Sequence, residues 1–153
     1  MDITYIKPKL NEIEKMQHIV KDAVNEGIIL YRSDDEIATN IRSYVLAKRG
    51  DEVVGFVALH IHTKKLAEIR SLIVDKKYRG LGIGKNLVLK AIKEAKELGI
   101  KEILSLTYNR DFFEKLGFKE IEKIKIPEQK IWVDCIKCKH FPICNEIALI
   151  KKI

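Results

Sequence analysis

The sequence predicts a mixed α/β fold in a single domain spanning residues 1–153, and three observations favour it. The chain has 153 residues, enough for one compact domain of ordinary size and too few for two. Segments with helix and strand periodicity are interspersed, in neither strict strand–helix alternation nor two separate halves. Apolar residues make up 46% and charged residues 33% of the chain, a mixture typical of globular proteins.

The first half of the chain predicts two helices among four strands. From Leu10, apolar residues recur every three or four positions until Gly27, which predicts an amphipathic helix. Ser33, followed three residues later by Glu36, has the spacing of a capping box and begins a second, short helix through about Arg42. The β-branched residues and the turn signals between them predict strands at 2–6, 44–49, 52–61 and 66–74.

The second half carries the strongest helix signal. Helical periodicity begins at Ile83 and ends at Gly99, a residue that favours helix termination. The apolar face of this helix consists of Ile83, Leu87, Ala91, Ala95 and Leu98. A shorter helix, 110–117, ends at Gly117, and strands are predicted at 100–108, 118–126 and 146–153. A looser, Cys-containing segment, 127–146, precedes the last strand.

A glycine-rich turn lies between strand 66–74 and the long helix. Its alternating residues are Arg79, Gly80, Gly82, Gly84 and Lys85. Glycine loses the most conformational entropy on folding, so three in five residues indicate a backbone shape or a close neighbour that a Cβ would forbid. The helix N-terminus, its amides and two cations together predict an anion site. The spacing fits neither a Walker nor a Rossmann loop. The chemistry of the turn still predicts a phosphate-bearing ligand, with a structural tight turn as the alternative.

The stretch LIVDKKYRGLGIGKNLVLKAI resembles the signature motif of the GCN5-related N-acetyltransferases, and FFEKLGF resembles the family's second characteristic stretch. The resemblance implies a central mixed, mostly antiparallel sheet, splayed at the coenzyme site and flanked by about four helices. It implies transfer of the acetyl group of acetyl-CoA to an amine. It also implies that the backbone of Leu72, Ile73 and Val74 pairs with the pantetheine arm. The pyrophosphate would bind the amides of Arg79, Gly80, Leu81, Gly82, Ile83, Gly84 and Lys85.

The resemblance also names candidates for proton transfer. Relatives carry a glutamate in a similar A-E-I context as general base, often through water, which implies this role for Glu68; a surface carboxylate paired with Lys or Arg is the alternative. Family members commonly carry a tyrosine where this chain has Phe113, so Tyr108 is the nearest general acid. Its alternative is an aromatic side chain packed under the coenzyme. A thiol with a pKa of about 8.5 can also leave without an acid.

Two arginines are candidates for binding the acceptor. The chain has only six, and a planar guanidinium clamps a carboxylate through two parallel hydrogen bonds, which favours Arg32 and Arg70. The period of two places Glu68, Arg70 and Leu72 on one strand face. The segments EGIILYRS, AEIRSLIV and KIWVDCIKC resemble the short N-acetylglutamate synthase branch, which implies glutamate as acceptor and arginine biosynthesis. The alternatives are a loop salt bridge for Arg32 and a partly buried ion pair for Arg70.

Four soft or borderline ligands cluster near the C-terminus: Cys135, Cys138, His140 and Cys144. Their number suits a structural zinc, although zinc sites usually draw two ligand pairs from separated turns. A buried or redox-active thiol cluster is the alternative. The other histidines, at positions 18, 60 and 62, have no metal-site spacing and are predicted to be ordinary helix and strand residues.

The net charge of +7 allows anionic partners, but the lysines are interleaved with glutamates, as in solvated faces of heat-adapted proteins. The interleaved pattern therefore predicts neither nucleic acid nor membrane as partner, in a cytoplasmic protein with a homodimer left open. The family resemblance implies a small-molecule amine substrate. An acetyltransferase for protein N-termini or lysines, and a coenzyme- or metal-binding module without turnover, are the rival functions.

Overall fold

A twisted sheet forms the centre of the computed structural model, which describes residues 2–122, 125–126 and 146–153. Within these residues the strands are β1 (Thr4–Ile6), β2 (Tyr44–Arg49), β3 (Glu52–Ile61), β4 (Leu66–Val74), β5 (Glu102–Thr107), β6 (Lys119–Ile121) and β7 (Ile147–Lys152). Their order in the sheet is β1-β2-β3-β4-β5-β7-β6. The β4–β5 pair is parallel and the other described pairs are antiparallel, so the predicted mixed, mostly antiparallel sheet is confirmed.

Four α-helices accompany the sheet in the described ranges: α1 (Ile13–Asn25), α2 (Asp34–Thr39), α3 (Ile83–Leu98) and α4 (Arg110–Glu114). Short 3-10 turns occupy Leu10–Glu12, Ile41–Ser43 and Lys76–Tyr78. Helix α3 has the predicted bounds, and Gly99 ends it in the left-handed conformation at φ 88°. Leu98 was predicted to belong to the apolar face of this helix, and that prediction was wrong, because its side chain is exposed. No helix in the described part of the chain is long and apolar enough to cross a bilayer.

Helix α2 is shorter than predicted, and only half of the capping box forms. The Ser33 hydroxyl accepts a hydrogen bond from the Glu36 amide at 3.1 Å, as the motif requires. The Glu36 carboxylate, however, binds Arg32 at 2.8 Å instead of turning back to the helix start. The α-helix ends at Thr39, and the chain continues to β2 through a 3-10 turn rather than a helix reaching Arg42.

The two faces of the sheet bury different clusters. The face beneath α3 packs residues such as Val57, Ile69 and Leu87. The face beneath α1 packs residues such as Met16 and Leu46. The side chains of β4 are divided between these faces, so the alternation along this strand decides which residues face the α1 side.

Strand β4 changes its alternation at Ser71. This residue has φ 58°, and the register with β3 shifts between Phe56 and Ala58. A bulge inserts one residue and therefore moves every following side chain to the opposite face. Leu72 packs with the cluster beneath α3. The prediction that Leu72 shares a strand face with Glu68 and Arg70 was therefore wrong.

Strands β4 and β5 separate partway along their length. Their pairing runs from Leu66 opposite Glu102 to Ile69 opposite Ser105 and then stops. Beyond it, β4 continues to Val74 with β3 on one side, and the described part of the chain places no strand on the other. This separation is the predicted splay of the sheet, and it opens a cleft.

Candidate active site

A cleft of about 1120 Å³ lies where β4 and β5 part. The loop that leads into α3 forms one end, and the segment after α1 forms the other. The predicted catalytic and acceptor residues all line it: Arg32, Glu68, Arg70 and Tyr108. Every predicted coenzyme residue except Leu81 lines it too. Leu81 is exposed beside Ile3 and Tyr5 in a separate, smaller depression.

Two of the three loop glycines adopt a backbone conformation that other residues rarely adopt. Gly80 and Gly82 have φ values of 79° and 82°, in the left-handed region where a Cβ causes strain. Apart from its own chain neighbours, no described residue places an atom within 4 Å of a Cβ built at either position. Gly84 differs, because a Cβ there would contact Val74 at 3.6 Å and Phe112 at 3.8 Å.

The loop that lines this end of the cleft has backbone amides without described protein acceptors. Among the described residues, no amide from Arg79 to Lys85 donates a hydrogen bond to a protein oxygen, and the first helical bond runs from the Asn86 amide to Gly82 O at 3.0 Å. Unsatisfied amides at a helix N-terminus attract anions. Arg79 Nε donates to Val74 O at 3.2 Å, which ties the loop to the end of β4. The residues present fit a diphosphate.

Glu68 lies in the cleft wall, yet only 1% of its surface is exposed. Its Oε1 atom is 2.8 Å from His62 Nε2. Burial of an ionised carboxylate is costly unless it is paired and hydrogen-bonded, and His62 Nε2 lies where it can be such a partner. The alternative of a surface carboxylate was wrong. His62 had no sequence signal, since it lies just after the predicted strand 52–61, and the prediction that it is an ordinary residue missed its contact with Glu68.

The acceptor end of the cleft is built around Arg32. This side chain is 8% exposed, and Nη1 donates to Glu36 Oε2 at 2.8 Å, so the predicted loop salt bridge exists. Gln17 Nε2 fixes the backbone here, donating to Arg32 O at 2.7 Å and to Asp34 Oδ1 at 3.0 Å. Arg32, which lines the cleft, is therefore held at its backbone by α1 and at its guanidinium by α2.

The buried phenol of Tyr44 interacts electrostatically with both Arg32 and Arg70. Ala58 is its register partner on β3 and Arg70 is the partner of Ala58 on β4, so phenol and guanidinium lie on one face across a small side chain. Burial raises the pKa of Tyr44 above its ordinary value of 10.0, while the charges of Arg32 and Arg70 oppose this shift. Tyr44 was missed because its strand reads as an apolar run.

The raised pKa of Tyr44 predicts a stability change at alkaline pH. A folded-state pKa above the unfolded value means that the native state keeps the proton longer, so the stabilisation present below pH 10.0 is lost as the pH rises through the folded pKa. We expect wild type to lose stability relative to Tyr44→Phe above that pH, by up to about 1.4 kcal/mol per pH unit. Urea unfolding of both proteins between pH 8 and 11 measures this. A difference that stays constant over the range would contradict it.

The aromatic residues after β5 occupy two environments. Phe113 is buried, and its ring packs edge-on against Phe112 at 5.0 Å and Phe118 at 5.2 Å. Tyr108 is 44% exposed in the cleft wall, next to Asn109, whose side chain caps α4. The position that carries a tyrosine in relatives is thus a core residue here, and Tyr108 stays the predicted acid.

The predicted cysteine and histidine cluster, Cys135, Cys138, His140 and Cys144, lies outside the described residues. Within the described ranges, no group of three or more metal-binding side chains converges. The zinc hypothesis therefore remains a prediction from spacing.

Comparison with known sequences gives matches along most of the chain. The model of the Acetyltransferase (GNAT) family matches residues 10–118. The uncharacterized N-acetyltransferase CT2212 of Chlorobaculum tepidum is 42% identical over 143 residues, covering 94% of this chain and 92% of that protein. The amino-acid acetyltransferase of Mycobacterium tuberculosis is 29% identical over 119 residues, covering 76% and 68%. The chain spans only 28% of the Photorhabdus laumondii amino-acid acetyltransferase, at 25% identity.

Solved structures share the fold at lower identity. N-acetylglutamate synthase from Neisseria gonorrhoeae, complexed with coenzyme A and N-acetyl-glutamate, superposes with a TM-score of 0.87 at 20% identity. The match covers 99% of this chain and 35% of that one. Rv2747 from Mycobacterium tuberculosis, solved with CoA, gives a TM-score of 0.84 at 21% identity and covers 98% and 99%. Likeness at this identity concerns the fold.

Proposed function

The chain belongs to the Acetyltransferase (GNAT) family, and on that premise we propose that it transfers the acetyl group of acetyl-CoA to the α-amine of glutamate. The family match and the acetyltransferase relatives confirm both the predicted family and the predicted class of acetyl-CoA-dependent N-acetyltransferase. The single observation that carries the proposed acceptor is that two arginines and one buried glutamate line the same cleft: Arg32, Arg70 and Glu68.

The coenzyme end of the cleft suits an elongated diphosphate. The loop amides from Arg79 to Lys85 would hold the pyrophosphate at the positive end of α3. The edge of β4 that β5 leaves would pair with the amides of the pantetheine arm, as a peptide strand adds to a sheet. Coenzyme A bound to proteins of the same fold supports this placement.

The acceptor end suits a small dicarboxylate with one amine. Glutamate carries two carboxylates, and each guanidinium can clamp one through charge-assisted hydrogen bonds. Glu68 and Arg70 share one face of β4 before the Ser71 bulge, which brings base and clamp to the same pocket. The complex of the gonococcal synthase with N-acetyl-glutamate supports a glutamate-sized acceptor in this fold.

The reaction removes two protons from the acceptor nitrogen and returns one to the departing sulfur. Acetyl-CoA supplies an activated thioester carbonyl. Glu68, directly or through one water, takes a proton from the acceptor ammonium, and the neutral nitrogen then forms the new C–N bond as the C–S bond breaks. The departing sulfur leaves as thiolate and takes a proton from Tyr108 or from water. The nitrogen, cationic after the C–N bond forms, passes its second proton to water, so the reaction releases one proton overall.

An acceptor screen tests this function. Thiol release from acetyl-CoA is measured with glutamate, with glutamine and aspartate as matched controls, and with a lysine-containing peptide. Loss of one charge-assisted contact costs about 1.5–3 kcal/mol, so we expect kcat/KM for glutamate to exceed that for glutamine by at least about tenfold. Faster turnover of the peptide would favour a protein acetyltransferase. No turnover with any amine, with tight coenzyme binding intact, would favour a binding module.

A further inference from the structure

We infer that His62 is a positioning residue for Glu68, holding its carboxylate in the orientation that takes the proton from the acceptor amine. This inference rests on the proposed function, in which Glu68 is the general base. It begins from a buried contact: His62 Nε2 lies 2.8 Å from Glu68 Oε1, and the His62 side chain is 6% exposed.

The backbone fixes His62 on the turn that joins β3 to β4. Its amide donates to Leu66 O at 2.9 Å, so the residue belongs to the hairpin rather than to a loose loop. His60, two residues earlier, is the register partner of Glu68. The His60 and His62 rings meet edge-on with centroids 4.9 Å apart, which restricts the His62 ring from a second side.

In the proposed function Glu68 is ionised until it takes the proton from the acceptor. An ionised carboxylate can only accept hydrogen bonds, so in that state His62 Nε2 carries hydrogen and donates it to Glu68 Oε1. The last torsion of a glutamate side chain is otherwise broad. Because the carboxylate is planar, anchoring Oε1 also fixes the direction of Oε2.

His62 acts on the acceptor through Glu68. Glu68 lines the cleft, whereas His62 is not among the described residues that do. A base has to lie within hydrogen-bond reach of the proton it takes, or within one water of it, and displacement of a reacting group by about 1 Å can cost a hundredfold in rate. An anchor behind the carboxylate therefore affects kcat and leaves substrate binding alone.

Two variants separate the hydrogen bond from the packing. His62→Leu removes the donor while keeping a similar apolar volume, and His62→Gln can place an amide donor near the position of Nε2. We expect His62→Leu to lower kcat by about ten- to a hundredfold, with KM for acetyl-CoA and the acceptor within about twofold of wild type. His62→Gln should keep kcat within about threefold. Equal losses in both variants, or no loss in His62→Leu, would overturn the inference.

A double-mutant cycle with Glu68→Gln tests whether His62 acts through Glu68. In that background His62→Leu should lower kcat no further, because the carboxylate that it orients is already gone. A full additional loss would overturn the inference. If Glu68→Gln alone leaves kcat unchanged, the proposed base fails and the inference with it. If Glu68→Gln is impaired and His62→Leu is not, only the inference fails.

A spectroscopic measurement on the wild-type protein keeps the test valid if His62→Leu does not fold. In protein labelled with ¹⁵N-histidine, with the His62 signal assigned by its loss in His62→Gln, we expect the Nε2–H tautomer at pH 8. The Nδ1–H tautomer would leave Nε2 without a proton to donate and would overturn the inference.

Discussion

Glu68→Gln is expected to lower kcat by about 10²- to 10⁴-fold, the largest loss among single substitutions in the cleft. The amide has nearly the shape of the carboxylate, and its oxygen can still accept the 2.8 Å hydrogen bond from His62, so the fold should survive. What is lost is the ability to take a proton from the acceptor ammonium. Steady-state kinetics with glutamate measures the effect, and KM for acetyl-CoA should change by less than about twofold because the coenzyme loop is untouched.

The pH dependence of the variant gives a second readout. As pH rises, more of the acceptor amine is unprotonated and the need for a base falls, so the activity of Glu68→Gln should approach that of wild type. Glu97→Gln, on the exposed surface of α3, is the matched control and should retain wild-type kcat. Wild-type kcat in Glu68→Gln at neutral pH would remove Glu68 from the mechanism.

Arg32→Ala and Arg70→Ala should each raise KM for glutamate by about 10- to 150-fold. This range corresponds to the roughly 1.5–3 kcal/mol of a hydrogen bond to a charged group. Since the clamp binds the substrate and the transition state alike, kcat at saturating glutamate should stay within about threefold of wild type. One of the two variants should lose the contact with the γ-carboxylate. In that variant KM should rise less for glutamine than for glutamate, because the glutamine side-chain amide carries no charge.

Glu36→Gln provides the control for Arg32, because it removes the ion-pair partner and leaves the guanidinium in the cleft wall. We expect it to change KM for glutamate by less than about threefold. Similar increases in KM for Glu36→Gln and Arg32→Ala would mean that Arg32 supports the loop rather than the substrate. Unchanged kinetics in both arginine variants would eliminate the clamp.

Local patterns in the sequence predicted most of the fold. Strand β4 and helix α3 have the predicted bounds, because period, glycine stops and turn residues are properties of neighbouring residues. The same locality explains the errors. The Glu36 carboxylate pairs with Arg32 instead of capping the start of α2. Leu98 continues the apolar period of α3, yet its side chain is exposed. A periodic pattern indicates which face of a helix is apolar, but it does not indicate where the surface that covers this face ends.

The candidate site was predicted less completely. Arg32, Glu68 and Arg70 were found as residue types in a family context, and all three line one cleft. Tyr44 and His62 were not found, because each is defined by a neighbour on another strand or across a hairpin. Their signals exist only after the register between β2, β3 and β4 is known.

The sequence by itself determined the glycine loop, the helix that follows it and the family, because a left-handed turn before a helix N-terminus needs specific residues at fixed spacing. Only the tertiary structure decided which side chains meet in the cleft. The Ser71 bulge turned Leu72 away from Glu68, and the early end of β4–β5 pairing opened the space between the strands. Both are outcomes of strand register, which is set by packing over the whole sheet and leaves no trace in a short stretch of sequence.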